Sequence, residues 1–147
     1  MKYLIILSVI VLSACSSTPK IISSSGATDA MSLIQQVSES SPKGIKGVFQ
    51  LFIKATGIKR NVVYLNTELD YRDRRNITIA LHPKLVKAFI AKYGASPEEY
   101  FINKNIKVKG EAKQVKIWLI SDGRRTDKYY YQIHIKVVSI DQLSVLL

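Results

Sequence analysis

Residues 106–119 read IKVKGEAKQVKIWL, and the pattern of this stretch organises the rest of the chain. Ile106, Val108, Gly110 and Ala112 are apolar or small and alternate with Lys107, Lys109, Glu111 and Lys113, the two-residue period of a strand with one dry face. The phase then slips, because Val115, Ile117 and Leu119 fall on odd positions where the earlier apolar set is even. A flat strand would turn its apolar side to water halfway along, so the pattern predicts a bulge or bend near 112–114. A long bent strand is the device that lets a small sheet curl into a barrel.

The flanking segments follow the same logic. Residues 47–55, GVFQLFIKA, read as a first strand, and Gly57 opens a short basic connection through Lys59, Arg60 and Asn61. Residues 62–65 give a brief second strand, 66–76 (NTELDYRDRRN) a polar loop, and Ile77, Ile79 and Leu81 a third strand. His82-Pro83 ends that strand and opens a helix, along which Leu85, Val86, Phe89, Ile90 and Tyr93 recur at three-to-four spacing before Gly94 stops it. Ser96-Pro97-Glu98-Glu99 reads as a capping box ahead of a helical turn over 97–101. After the long strand, Asp122-Gly123 signals a hairpin. The return over 128–138 puts Tyr129, Tyr131, Ile133, Ile135 and Val137 on one face and Tyr130, Gln132, His134 and Lys136 on the other. Leu143 and Val145 offer a last short pairing.

Three strands, a helix, a long bent strand and a hairpin return make a mainly β chain. Carried by VVYLN, NITIAL and IKVKGEAKQV, this order resembles the OB-fold, a five-stranded Greek-key barrel with one helix between strands three and four. The resemblance covers 44 to about 138; a small open antiparallel sheet crossed by one helix is the alternative.

The N-terminal part has a different composition. Lys2, an apolar run over 3–11 and Leu12-Ser13-Ala14 before Cys15 read as an export signal over 1–14, too short to span a bilayer as a helix. Leu12-Ser13-Ala14-Cys15 resembles the lipobox of bacterial lipoproteins. That resemblance implies acyl chains on Cys15, a membrane anchor, and, with Ser16 after the cysteine, an outer-membrane location facing the periplasm. Residues 15–43 are then the lipidated cysteine and a flexible tether rich in Ser, Thr, Gly and Pro, with a reach of about 30 Å. Asp29 caps a short helix over 30–38 within it, and 44–147 form the domain.

Lys and Arg number 22 against 11 Asp and Glu, a net charge of +11. A chain this basic is drawn to polyanions, nucleic acid or another anionic polymer in the envelope, although basic charge is also common in domains without such a partner. OB-folds as a class bind ligands beside strands two and three, between the loop after strand one and the loop before strand five. Those loops supply Lys59 and Arg60, and Arg124, Arg125 and Lys128. The 66–76 loop adds Tyr71, Arg72, Arg74 and Arg75, which either grip phosphates or pair with Glu68, Asp70 and Asp73 beside them. A stripe of Trp118, Tyr130 and His134 is either a stacking platform or strand packing.

Little points to catalysis. No glycine-rich phosphate loop or nucleophile elbow is present, and two histidines with one cysteine poorly supply a zinc site, so neither cofactor nor metal is expected. The sequence reads first as a non-catalytic module binding an anionic polymer. Docking to another envelope protein comes second, and a metal-dependent nuclease built on Asp70 and Asp73 third.

Overall fold

The computed structural model describes residues 20–23 and 27–146; the export signal and lipobox expected over 1–15 lie outside them. In chain order the elements are β1 (Lys20–Ser23), α1 (Ala27–Glu39), β2 (Ile45–Phe52), β3 (Ala55–Lys59), β4 (Val62–Asn66), β5 (Ile77–Leu81), α2 (Pro83–Tyr93), α3 (Pro97–Phe101), β6 (Asn105–Ser121), β7 (Arg124–Val137), a 3-10 turn at Ile140–Gln142 and β8 (Leu143–Val145).

The strands lie in the order β1-β2-β6-β7-β5-β4-β3, with β8 on the free side of β6. β5 and β7 run parallel, whereas β2 with β6, β6 with β7, β4 with β5 and β3 with β4 are antiparallel. β2 and β3 are two parts of one strand, broken where Ile53 N donates to Lys104 O at 3.0 Å and Lys54 N to Asn66 O at 2.9 Å. Leaving aside β1, which adds to the outside of β2, the two ends of the strand path are therefore one segment, and the sheet curls back on itself. Counting β2 and β3 together, the neighbours run 4-1-2-3-5 with α2 between the third and fourth strands, the OB connectivity expected from the sequence.

The inward positions alternate as the pleat requires. Phe49, Leu65, Ile77, Ile79, Leu81, Ile106, Val108 and Ile135 are fully buried, and Leu85, Phe89 and Phe101 bring α2 and α3 onto the same core. His82 Nδ1 accepts from Lys84 N at 3.2 Å to open α2, and Gly94, at φ 68°, closes it by donating its N–H to Ile90 O. The capping box assigned to Ser96 does not form through its side chain; its carbonyl accepts from Tyr100 N instead.

Three further expectations are corrected. Strand one does not give way to a connection at Gly57: β3 continues to Lys59, and the turn is only Arg60 and Asn61, both at positive φ, which matches the twist of a tight hairpin. The irregularity lies between the Trp118 and Ile120 pairings, where the single residue Leu119 of β6 faces three of β7, 126–128, and not at 112–114. At Ala112 the strand instead changes partner, from β2 to β7. Beyond Gln114, opposite the buried Ile133, there is no barrel interior to fill, so the apolar side is free to change faces.

The tether is the third correction. α1 begins at Ala27, two residues before the cap assigned to Asp29, and runs to Glu39. Leu33 and Val37 on it are fully buried, Ala30 and Ile34 pack against the core, and Ser38 Oγ accepts from Gln114 Nε2 at 3.0 Å. The folded unit thus reaches back past Gly44, because two large aliphatic side chains find cover against the barrel end that α2 does not close. Lys20–Ser23 adds a strand parallel to β2.

The 66–76 segment is a loop as the sequence predicts, and its ends are anchored in the sheet. Asn66, Thr67, Asn76 and Thr78 are buried. They hold one another, as Asn76 Nδ2 donates to Asn66 Oδ1 (3.1 Å), Tyr71 O (3.1 Å) and Thr78 Oγ1 (3.0 Å), and Thr67 Oγ1 accepts from Ile77 N (2.9 Å).

Candidate functional site

β6 and β7 pair with each other from Ala112 opposite Ile135 to Ser121 opposite Arg124, and past Gln114 opposite Ile133, where the pairing of β7 with β5 ends, they leave the barrel as a two-stranded ribbon. Asp122 and Gly123, at φ 50° and 74°, make its tip, as the sequence predicts. The register sets the faces. Lys116 stands opposite Tyr131 and Trp118 opposite Tyr129 on one face, while Ile117 opposite Tyr130 and Lys113 opposite His134 occupy the other. The stripe of Trp118, Tyr130 and His134 is therefore split: Trp118 shares its face with Tyr129 and Tyr131, residues the sequence reading placed in the sheet but not at a site.

Those three rings form a ladder, with centroids 5.3 Å apart from Trp118 to Tyr129 and 5.5 Å from Tyr129 to Tyr131, each pair edge-on. Cations lie against it. Arg125 stands 4.2 Å from the Trp118 ring centre, and Lys116 Nζ 4.3 Å from that of Tyr129. Tyr129 and Tyr131 are about half exposed. Arg124 and Lys128 are exposed on β7 as well.

The other face of the ribbon looks onto a cleft of 380 Å³ beside strands two and three, whose lining includes Lys59, Tyr64, Tyr71, Ile117, Gln132 and His134. Asn66, Thr78, His134 and Lys113 form one row across β4, β5, β7 and β6. Gln132 Nε2 donates to Tyr71 O at 2.7 Å, leaving its Oε1 to accept from His134 Nε2 at 2.9 Å. This arrangement puts the imidazole proton on Nε2. Burial, and then Lys136 nearby, push the His134 pKa below its ordinary value, so the ring is held neutral.

The arginine loop sorts its own charges. Arg75 pairs with Asp73 through Nη2 at 2.8 Å and Nε at 3.1 Å, and the hydrogen bonds from Arg75 hold the Asp73 carboxyl down at about 2. Lys54 reaches in to take Glu68 at 2.8 Å. Asp70 and Asp73 also accept the backbone N–H groups of Arg72 and Arg75. Arg72 Nε donates to Tyr71 OH at 3.0 Å. Arg74 is exposed and makes no hydrogen bond or ion pair among the described residues. Arg60 sits on the tight turn. Among the described residues no group of three His, Cys, Asp or Glu side chains is placed to hold a metal ion.

The sequence candidates thus fall into three places. Lys59, Tyr71 and His134 line the cleft, Trp118 and Arg125 meet on the ladder, and Arg72, Arg74 and Tyr130 line a groove at the root of the ribbon. Arg75 is committed to Asp73. Tyr129, Tyr131 and Lys116 are the additions, and the alternation of aromatic and basic residues in KIW and DKYYY is the signal that marks them.

The chain matches no protein-family model and no curated protein. Among solved structures it is similar to a protein assigned as an aspartyl-tRNA synthetase from Leishmania major Friedlin, at 12% identity and a TM-score of 0.44, covering 94% of this chain and 22% of that one. It is also similar to the aspartyl tRNA synthetase from Entamoeba histolytica, at 16% identity and 0.43, covering 95% and 28%. The chain spans about a quarter of the length of either. Likeness at this level adds nothing to what the strand connectivity already shows.

Proposed function

We propose that this protein is a non-catalytic binding module for a single-stranded anionic polymer, nucleic acid above all, gripped by the ribbon. The observation that carries the reading is the Trp118–Tyr129–Tyr131 ladder interleaved with Lys116 and Arg125. Phosphates draw the two cations off the rings, and the freed ring faces stack on bases. Such stacking contributes about 1–3 kcal/mol per base and tolerates any sequence. The Leu12–Cys15 lipobox belongs to the same reading, with acyl chains on Cys15 fixing the module to the outer membrane, facing the periplasm.

The test is binding of a fluorescent oligothymidylate to the full-length protein in nonionic detergent across a salt series, with Trp118, the one tryptophan of the chain, as intrinsic reporter. Binding that weakens steeply with salt, changes Trp118 fluorescence and survives a sulfated polysaccharide competitor supports the reading. Salt-independent or absent binding overturns it. A second reading, docking of another envelope protein by strand addition, is favoured by the ribbon edges. Residues 115–121 and 124–132 pair only with each other among the described residues. It predicts one defined protein crosslinked to the ribbon in cells, with oligothymidylate unable to compete.

A further inference from the structure

A groove of 520 Å³ runs between α1, the arginine loop and the root of the ribbon, within the range of small-ligand sites, about 300–1,000 Å³. We propose that it is a nucleotide subsite, in which Arg74 and Arg72 take the phosphate of one residue of a single strand and Tyr131 takes its base. The proposal rests on the reading above that the ligand is nucleic acid. It goes further in adding a second contact region, one wall of which the N-terminal segment builds.

The charges of the loop point this way. Each acid near the groove is engaged: Glu68 by Lys54, Asp73 by Arg75, and Asp70 by the amide of Arg72. Because Lys54 comes from outside the loop, the arginines are left in excess, and Arg74 has no partner among the described residues. An exposed guanidinium with its donors free suits a phosphate, which it meets with two parallel hydrogen bonds. Opposite, Ile34 and Ser38 of α1 form a wall held in place by the Gln114–Ser38 hydrogen bond. Tyr131 belongs both to this groove and to the ladder, 5.5 Å from Tyr129, so a strand leaving the groove meets the next ring one step on.

The experiment titrates the full-length protein, in nonionic detergent, with thymidine 5′-monophosphate and with thymidine, followed by calorimetry and by NMR shifts at Ile34 and Leu119. The monophosphate is expected to bind at least tenfold more tightly than the nucleoside, to shift Ile34, and to lose that advantage in Arg74→Ala. Equal binding of the two ligands, inorganic phosphate matching the monophosphate, or an unchanged Arg74→Ala protein overturns the groove. The ladder is scored separately with oligothymidylate and Trp118→Ala. If that variant loses the oligomer while Arg74→Ala alters neither ligand, the ladder stands and the groove falls.

Discussion

Arg125 lies 4.2 Å from the centre of the Trp118 ring, although the two residues are not direct partners in the ribbon's register: Trp118 is paired with Tyr129, and Arg125 with Ile120. The bulged residues 126–128 of β7, opposite Leu119, bring them together. An exposed contact of this type contributes about 0.5–1 kcal/mol, small enough for a phosphate to compete for the guanidinium. Arg125→Ala should therefore leave the fold intact, weaken oligothymidylate binding, and lower the slope of log affinity against log salt by about 0.7, one phosphate contact on a single strand. A full salt titration of both proteins checks this; an unchanged slope removes Arg125 from the interface.

Docking of α1 is testable through stability. Leu33 is fully buried, so Leu33→Ala should destabilise the protein by about 2–5 kcal/mol in urea denaturation. A flexible tether would give no change.

Asn76 is the hub that ties the arginine loop to β4 and β5, and its amide donors have three partners. Replacing it by alanine leaves buried acceptors on Asn66 and Thr78 short of a donor, at about 1–3 kcal/mol for such a group. Asn76→Ala should lower the unfolding free energy by that order and release the loop, seen as faster amide exchange at Arg72 and Arg75.

His134 should titrate below the ordinary histidine value, with its ring-proton midpoint in NMR under 6.5. The unfolded chain then binds the proton where the folded one does not, so this residue makes stability fall as pH drops through about 6.5 toward the folded midpoint. His134→Gln should flatten that part of the pH–stability curve. An equally steep curve would assign the dependence elsewhere.

Asp73 acts in the opposite sense at lower pH. Its folded pKa of about 2 lies below the ordinary 3.8, so its contribution is present above about 4 and disappears as pH falls through 2. Asp73→Asn should flatten the stability curve between about pH 4 and 2 and lower stability only slightly at neutrality, since the Arg75 pair is exposed and screened.

Periodicity and turn residues were enough to place the barrel. Ile77, Ile79 and Leu81 alternate inward, Pro83 and Gly94 bracket α2, and Asp122-Gly123 turns the ribbon, because each feature is a local steric or solvation preference written into consecutive residues. What local preference could not reveal was which face of the ribbon Trp118 shares with Tyr129, where the bulge falls, and whether Leu33 and Val37 find cover. The pairing of β6 with β7 and the seating of α1 join residues far apart in the chain, as in the Gln114–Ser38 hydrogen bond across 76 positions. The charge of the arginine loop followed the same division: its composition looks neutral, but Lys54, from the bend in the first strand, takes Glu68 and leaves Arg74 unpaired among the described residues. The amino-acid sequence by itself determined the strands, their order and the basic, aromatic character of the surface. Only the tertiary structure decided which of those side chains meet, because register and closure are set by the packing of the whole core and not by any one segment.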